Sequence, residues 1–178
     1  MTAARKVLAA LRDRLPRRRA VVSAAPAAEL PSPVTRDRVH ELLVPRGEVV
    51  PDADGDLTGL WRGCRFWFLL LGEREEILQV RGRWNMALPV ESRLGTLRAL
   101  NDWNRDRIWP KVYLRDEDPG LVLYAEVSFD LEQGVTDAQL DQFLGCGIAT
   151  GSMVFDAVSS MFGRPPAPHD PAGPESGD

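Results

Sequence analysis

The segment from Thr136 to Phe162 constrains this chain more than any other. Thr136-Asp-Ala-Gln139 has the form of a capping box, in which the threonine hydroxyl accepts from a backbone amide and the glutamine reaches back. Beyond it, Leu140, Phe143, Leu144, Gly147, Ile148, Gly151, Val154, Phe155, Val158, Met161 and Phe162 form one long apolar stripe at helical spacing. A stripe that wide must lie against a sheet or another subunit. Gly147 and Gly151 fall four apart on one face, which permits close approach of a neighbour. The run Gly145 to Gly151 also has the spacing G-x-G-x-x-x-G. A dinucleotide fingerprint follows a strand and opens a helix. Here the run lies inside a helical stripe, so packing is the better account of its glycines.

The rest of the pattern supplies the sheet. Thr35 caps a first helix with Val39, Leu42 and Leu43 on one face, stopped by Pro45 and Gly47. Residues 48–51 form a short strand, followed by the turn-rich loop Asp52-Ala-Asp-Gly-Asp56. The apolar run Cys64 to Leu71 suits a central strand, with residues 77–84 as its antiparallel partner. Pro89 opens a helix that runs to about Arg105, with Leu94, Leu97, Leu100 and Trp103 facing inward. Ile108-Trp109-Pro110 ends it, because the residue before a proline is pushed out of the helical region. An asparagine at 101 or 104 is expected to bond backbone groups at that helix end. Residues 111–115 form a strand. Leu121 to Phe129 form another, with Leu121, Leu123, Ala125, Val127 and Phe129 alternating onto one face. The order α-β-β-β-α-β-β-α predicts an α+β fold, an antiparallel sheet of about five strands with helices packed on it.

The 178 residues suffice for one domain with tails. Residues 1–34 carry seven basic and two acidic groups, a net of +5. Residues 35–162 carry fourteen and twenty-one, a net of -7; residues 163–178 carry one and three, a net of -2; the sum is the chain's -4. These boundaries predict a basic N-terminal arm and linker, a folded domain over 35–162, and a proline-rich disordered tail. Within the arm, Val7, Leu8, Leu11 and Leu15 share one helical face over residues 2–15, but a helix that short is marginal alone in water. Contact of the arm with membrane lipid would accordingly be weak. The acidic body argues against nucleic acid as a partner of the folded domain. No apolar run approaches the roughly 20 residues of a membrane span. Arg12-Asp13-Arg14 interrupts anything resembling a signal sequence, so a cytoplasmic location is expected.

No constellation for catalysis emerges, and no cofactor or metal is expected. Cys64 and Cys146 lack a C-x-x-C partner, and only His40 lies in the folded domain to pair with either as a nucleophile. Buried structural cysteine is the simpler reading. Asp52, Asp54 and Asp56 imitate the start of a calcium loop, yet Leu57 and Gly63 occupy the positions that require glycine and glutamate. Among five tryptophans, Trp61 and Trp109 lie beside loops. With Arg107, they are the candidate protein-contact residues, since exposed aromatics and arginine favour such surfaces.

The run Asn101-Asp-Trp-Asn104, then Trp109-Pro-Lys-Val-Tyr113, the strand end Glu126-Val-Ser-Phe-Asp130 and Gly134-Val-Thr136 resemble the YbjN-domain family over about residues 35–162. Members of that family are described as bacterial sensory transduction regulators. The resemblance implies a fold like that of type III secretion chaperones, commonly dimeric, with no catalytic residue to carry over. Two functional expectations follow. One is a non-enzymatic, cytoplasmic, homodimeric protein-binding module acting as regulator or chaperone-like adaptor. The other is a small enzyme or ligand-binding domain with a cleft near Cys64 and His40 or the Asp52–Asp56 loop.

Overall fold

The structure, a computed structural model, describes residues 30–162. The stretch 2–15 and the proline-rich segment 163–178 lie outside the described residues. The element order is α1 (Arg36–Leu43), a 3-10 turn (Val44–Arg46), β1 (Val49–Pro51), β2 (Leu57–Trp61), β3 (Cys64–Leu71) and β4 (Ile77–Arg83). There follow a 3-10 turn (Val90–Ser92), α2 (Arg93–Asp106), β5 (Lys111–Glu117), β6 (Gly120–Asp130) and α3 (Asp137–Phe162). The strands form one antiparallel sheet in the order β1-β2-β3-β4-β6-β5.

The fold is therefore α+β, with six strands rather than about five. The additional strand is β2. Its local signal is weak, because Thr58-Gly59 interrupts its apolar residues, and pairing with β3 is what makes it a strand. Gly59 is required there. The Trp61 indole folds back over it, so a Cβ at 59 would stand 2.7 Å from the ring.

The α3 helix lies across the centre of the sheet. Its capping box forms: Thr136 Oγ1 accepts from the Gln139 amide at 3.2 Å, and Gln139 Oε1 from the Thr136 amide at 3.1 Å. Leu140, Leu144, Val154 and Phe155 are buried against Phe66, Val80 and the inward residues of β6. The glycines permit the approach. A Cβ on Gly147 would stand 2.6 Å from Val80 Cβ, and one on Gly151 2.8 Å from the Phe66 ring. Gly82 makes the matching allowance on the sheet, where a Cβ would meet Phe66 and Phe155 at 2.7 and 2.8 Å. By length and composition α3 could cross a membrane, although the sequence shows no unbroken apolar run. Its small residues account for both facts, and its inner face is spent on the sheet.

The α1 helix packs against α3 through Val39 and Leu43. Thr35 caps it, accepting from the Arg38 amide at 3.3 Å. Arg38 then ties it to the start of α3, reaching Asp137 Oδ1 at 2.6 Å and Val135 O at 2.8 Å. Ser32 and Val135 exchange backbone bonds of 3.2 and 2.9 Å, so the chain enters the domain beside the base of α3.

Among the described residues the other face of the sheet carries no helix. Glu126 is buried there at mid-strand, flanked across the ladder by Arg81 and Lys111. Lys111 Nζ lies 2.6 Å away, the Tyr113 hydroxyl donates at 3.0 Å and Arg81 Nε stands at 3.4 Å. Burial pushes the Glu126 carboxyl up, but these partners together outweigh it and hold the pKa below the usual carboxylate range. Burial, reinforced by the bond to Glu126, pushes the Tyr113 hydroxyl up to about 12.

Gly147→Val is expected to destabilise the protein by about 1–3 kcal/mol through overpacking against Val80. Gly95→Ala, on α2 with no atom beyond its own helix backbone and chain neighbours within 4 Å of the new carbon, is expected to stabilise it by roughly 0.5–1 kcal/mol. Urea unfolding measures both, and a neutral Gly147→Val would mean that α3 does not seat this closely.

Candidate functional site

The helix-to-strand corner after α2 is built from its own residues. α2 ends where Arg107 turns extended (φ -133°, ψ 141°), its amide donating to Trp103 O at 3.1 Å. The Trp109–Pro110 peptide bond is cis. Trp103 is half-buried; its Nε1 donates to Pro110 O at 3.2 Å, and the Arg107 guanidinium lies 3.8 Å above its ring. Trp109 meets Phe129 edge-on at 5.4 Å, and Phe129 stacks on Phe143 of α3 at 4.4 Å. One side of Trp109 thus closes the core, while the rest of it and Ile108 face solvent.

Asn104 performs the least expected task in this corner. Its Oδ1 accepts from the Val112 amide and its Nδ2 donates to Val112 O, both at 2.9 Å. β5 is an edge strand, and Asn104 stands in for one residue of the missing neighbour. An asparagine does bond backbone here, but the backbone of the next strand rather than the helix end.

Two inward expectations are corrected. Leu94 and Leu97 are 62% and 44% exposed. The reason is placement: α2 runs along the β5 edge instead of over the sheet, so only Leu100 and Trp103 reach the core. The start of α2 is held by an Arg93–Asp116 ion pair. Val90, Leu94 and Leu97, spaced four and three apart, form an outward apolar stripe, and Ile108 lies exposed just past the helix end.

Trp61 belongs to a different surface. It walls a groove of about 570 Å³ between the β2–β3 turn and the outer side of α3, floored by Ile148, Ala149, Ser152 and Met153. The Trp61 ring is fixed edge-on against Phe66 and Phe68 at 5.8 and 5.5 Å. Two ion pairs stand at the groove, Arg46–Asp141 and Arg62–Asp156. A second lobe of about 290 Å³ continues past Trp61 to Cys64, Asn85 and Ser159.

The other candidates disperse. Cys64 is buried at the second lobe, and desolvation pushes its thiol up, which disfavours the nucleophilic thiolate. His40, on α1, lines neither lobe. The Asp52–Asp56 loop is a self-bonded turn: one Asp52 oxygen accepts from the amides of Asp54 and Asp56, each at 3.0 Å. Arg107 and Trp109 share the corner, and neither lines the Trp61 groove. The α2 stripe had no signal in the helical spacing, since the same periodicity fits an inward or an outward face.

Asn104→Ala, which strands both polar groups of Val112, is expected to cost about 1–3 kcal/mol. Asn101→Ala, at an exposed site with no side-chain bond among the described residues, should stay within about 0.5 kcal/mol. Parallel chemical denaturation of the two variants checks this.

The geometry is shared with solved structures. YbjN from E. coli, described as "a putative transcription regulator", superposes with a TM-score of 0.61 at 15% identity, covering 75% of this chain and 96% of that one. A protein from Methanothermobacter thermautotrophicus gives 0.50 at 11% identity, covering 73% and 100%. At such identities the likeness concerns fold alone. No curated protein matches the chain. Residues 35–160 match the family model described as "Putative bacterial sensory transduction regulator". That span covers α1 through most of α3 and includes the Asn104 corner, and the chain belongs to the YbjN family.

Proposed function

We propose that this chain is a non-enzymatic, cytoplasmic regulator module that binds protein and works as a homodimer through the outer face of α2. The observation that carries this reading is the exposed Leu94 and Leu97 of α2, extended by Val90 of the preceding 3-10 turn, on a helix that buries little of itself. Fully covering one such side chain yields roughly 1.5–3 kcal/mol. A two-fold axis would double each contact, since an isologous interface uses the same patch twice. Arg107 and Trp109, past the other end of α2, are residue types that anchor protein contacts. The family's description as a regulator agrees with binding rather than turnover. The net charge of -7 over residues 35–162 favours a protein partner over nucleic acid.

Light scattering tests the reading directly. The wild-type chain is expected to be a dimer, and Leu94→Asp/Leu97→Asp a folded monomer with unchanged circular dichroism. A wild-type protein that stays monomeric at micromolar concentration would refute the α2 interface.

A further inference from the structure

We propose that the groove beside Trp61 is occupied in cis by the chain's own N-terminal segment, residues 2–15, docked as an amphipathic helix. This does not depend on the regulator reading. The groove is a poor surface to leave in water. Its floor joins Ile148 and Ala149 to Met153, which is 49% exposed, beside the apolar wall of Trp61. Gly145, Ala149 and Ser152 recur along that side of α3, and such small residues allow a second helix to approach closely. Met153 can adapt to whichever side chains arrive.

The N-terminal segment has the complementary need. Val7, Leu8, Leu11 and Leu15 fall on one face, yet a helix of this length is not stable alone and requires a surface. Lengths agree. Residues 2–15 would form a helix of about 21 Å, and the lining from Gly145 to Asp156 spans about 17 Å.

The chain also enters in the right place. Ser32 is fixed beside Val135, immediately before α3. From Asp137 to Met153 the helix rises about 24 Å. The connecting residues 16–29 can span about 46 Å when extended. Charge agrees as well. Residues 2–15 carry Arg5, Lys6, Arg12 and Arg14 against Asp13, a net of +3, whereas α3 carries Asp137, Asp141 and Asp156 and no lysine or arginine. The basic groups at the groove, Arg46 and Arg62, are each paired with one of those aspartates, so little like charge opposes the arm. Tethering then favours this segment over any free competitor, because its effective concentration is on the order of millimolar.

Methionine oxidation in the full-length chain tests the docking. Under dilute peroxide, followed by peptide mass spectrometry, Met153 should oxidise about fivefold more slowly in the wild type than in Leu8→Asp/Leu11→Asp. Met161, 77% exposed and outside the groove, should oxidise equally in both. The Met153 protection should persist unchanged on dilution. Equal Met153 rates in the two proteins would overturn the proposal. Protection lost on dilution would overturn it too, by assigning the groove to a second copy. A reciprocal variant, Ala149→Arg at an exposed position, should expose the arm and speed tryptic cleavage after Arg12 and Arg14 by a similar factor. Unchanged cleavage would again overturn it.

Discussion

The architecture depends on how closely α3 can approach the sheet. Gly147 and Gly151 remove the atoms that would collide with Val80 and Phe66, and Gly82 removes one from the opposite side. The resulting contact joins α3 to β3, β4 and β6 in a single apolar layer. Interiors packed at this density tolerate little volume change, so the contact is geometrically exacting as well as favourable. Once α3 is seated, α1 has a surface to pack on, and Arg38 locks it through Asp137 and Val135.

Because α3, α1 and the sheet close most of the core, α2 is left with a lighter structural duty. It contributes Leu100 and Trp103 and otherwise lies along the sheet edge. Asn104 and Trp103 fasten the C-terminal end of α2 to Val112 and Pro110, while Leu94 and Leu97 face outward near its start. The start of α2 is held by the exposed Arg93–Asp116 ion pair, a weaker fastening than the clasp at its other end.

Much of this was legible in the sequence. The capping box, the packing role of Gly147 and Gly151, and the strands at Cys64–Leu71 and along the Leu121–Phe129 alternation are local or periodic signals, and they appear where the pattern puts them. The failures share one cause, which is that tertiary context decides them. β2 is a strand because β3 lies beside it, and its own residues carry little β signal around Gly59. Leu94 and Leu97 have the correct spacing for a buried face, but spacing reports the existence of a face and not what meets it. The two-bond clasp of Asn104 on Val112 spans eight residues across a turn, beyond any capping rule. In the sequence Trp61 stands out only for its position near a loop, whereas its setting in a groove against α3 depends on contacts nearly a hundred residues apart, as between Arg62 and Asp156.

The fold divides labour between an α3-and-sheet core and a peripheral α2. Native-state amide hydrogen exchange tests it most directly, since it resolves regions that open locally from those that open only on global unfolding. The slowest amides are expected in β4, β6 and the segment of α3 around Gly147 to Phe155, with a common opening free energy. In the monomeric Leu94→Asp/Leu97→Asp variant, the first two turns of α2 are expected to exchange through a cheaper local opening. Amides near positions 94 and 97 of that variant as protected as those around Gly147 would contradict this division.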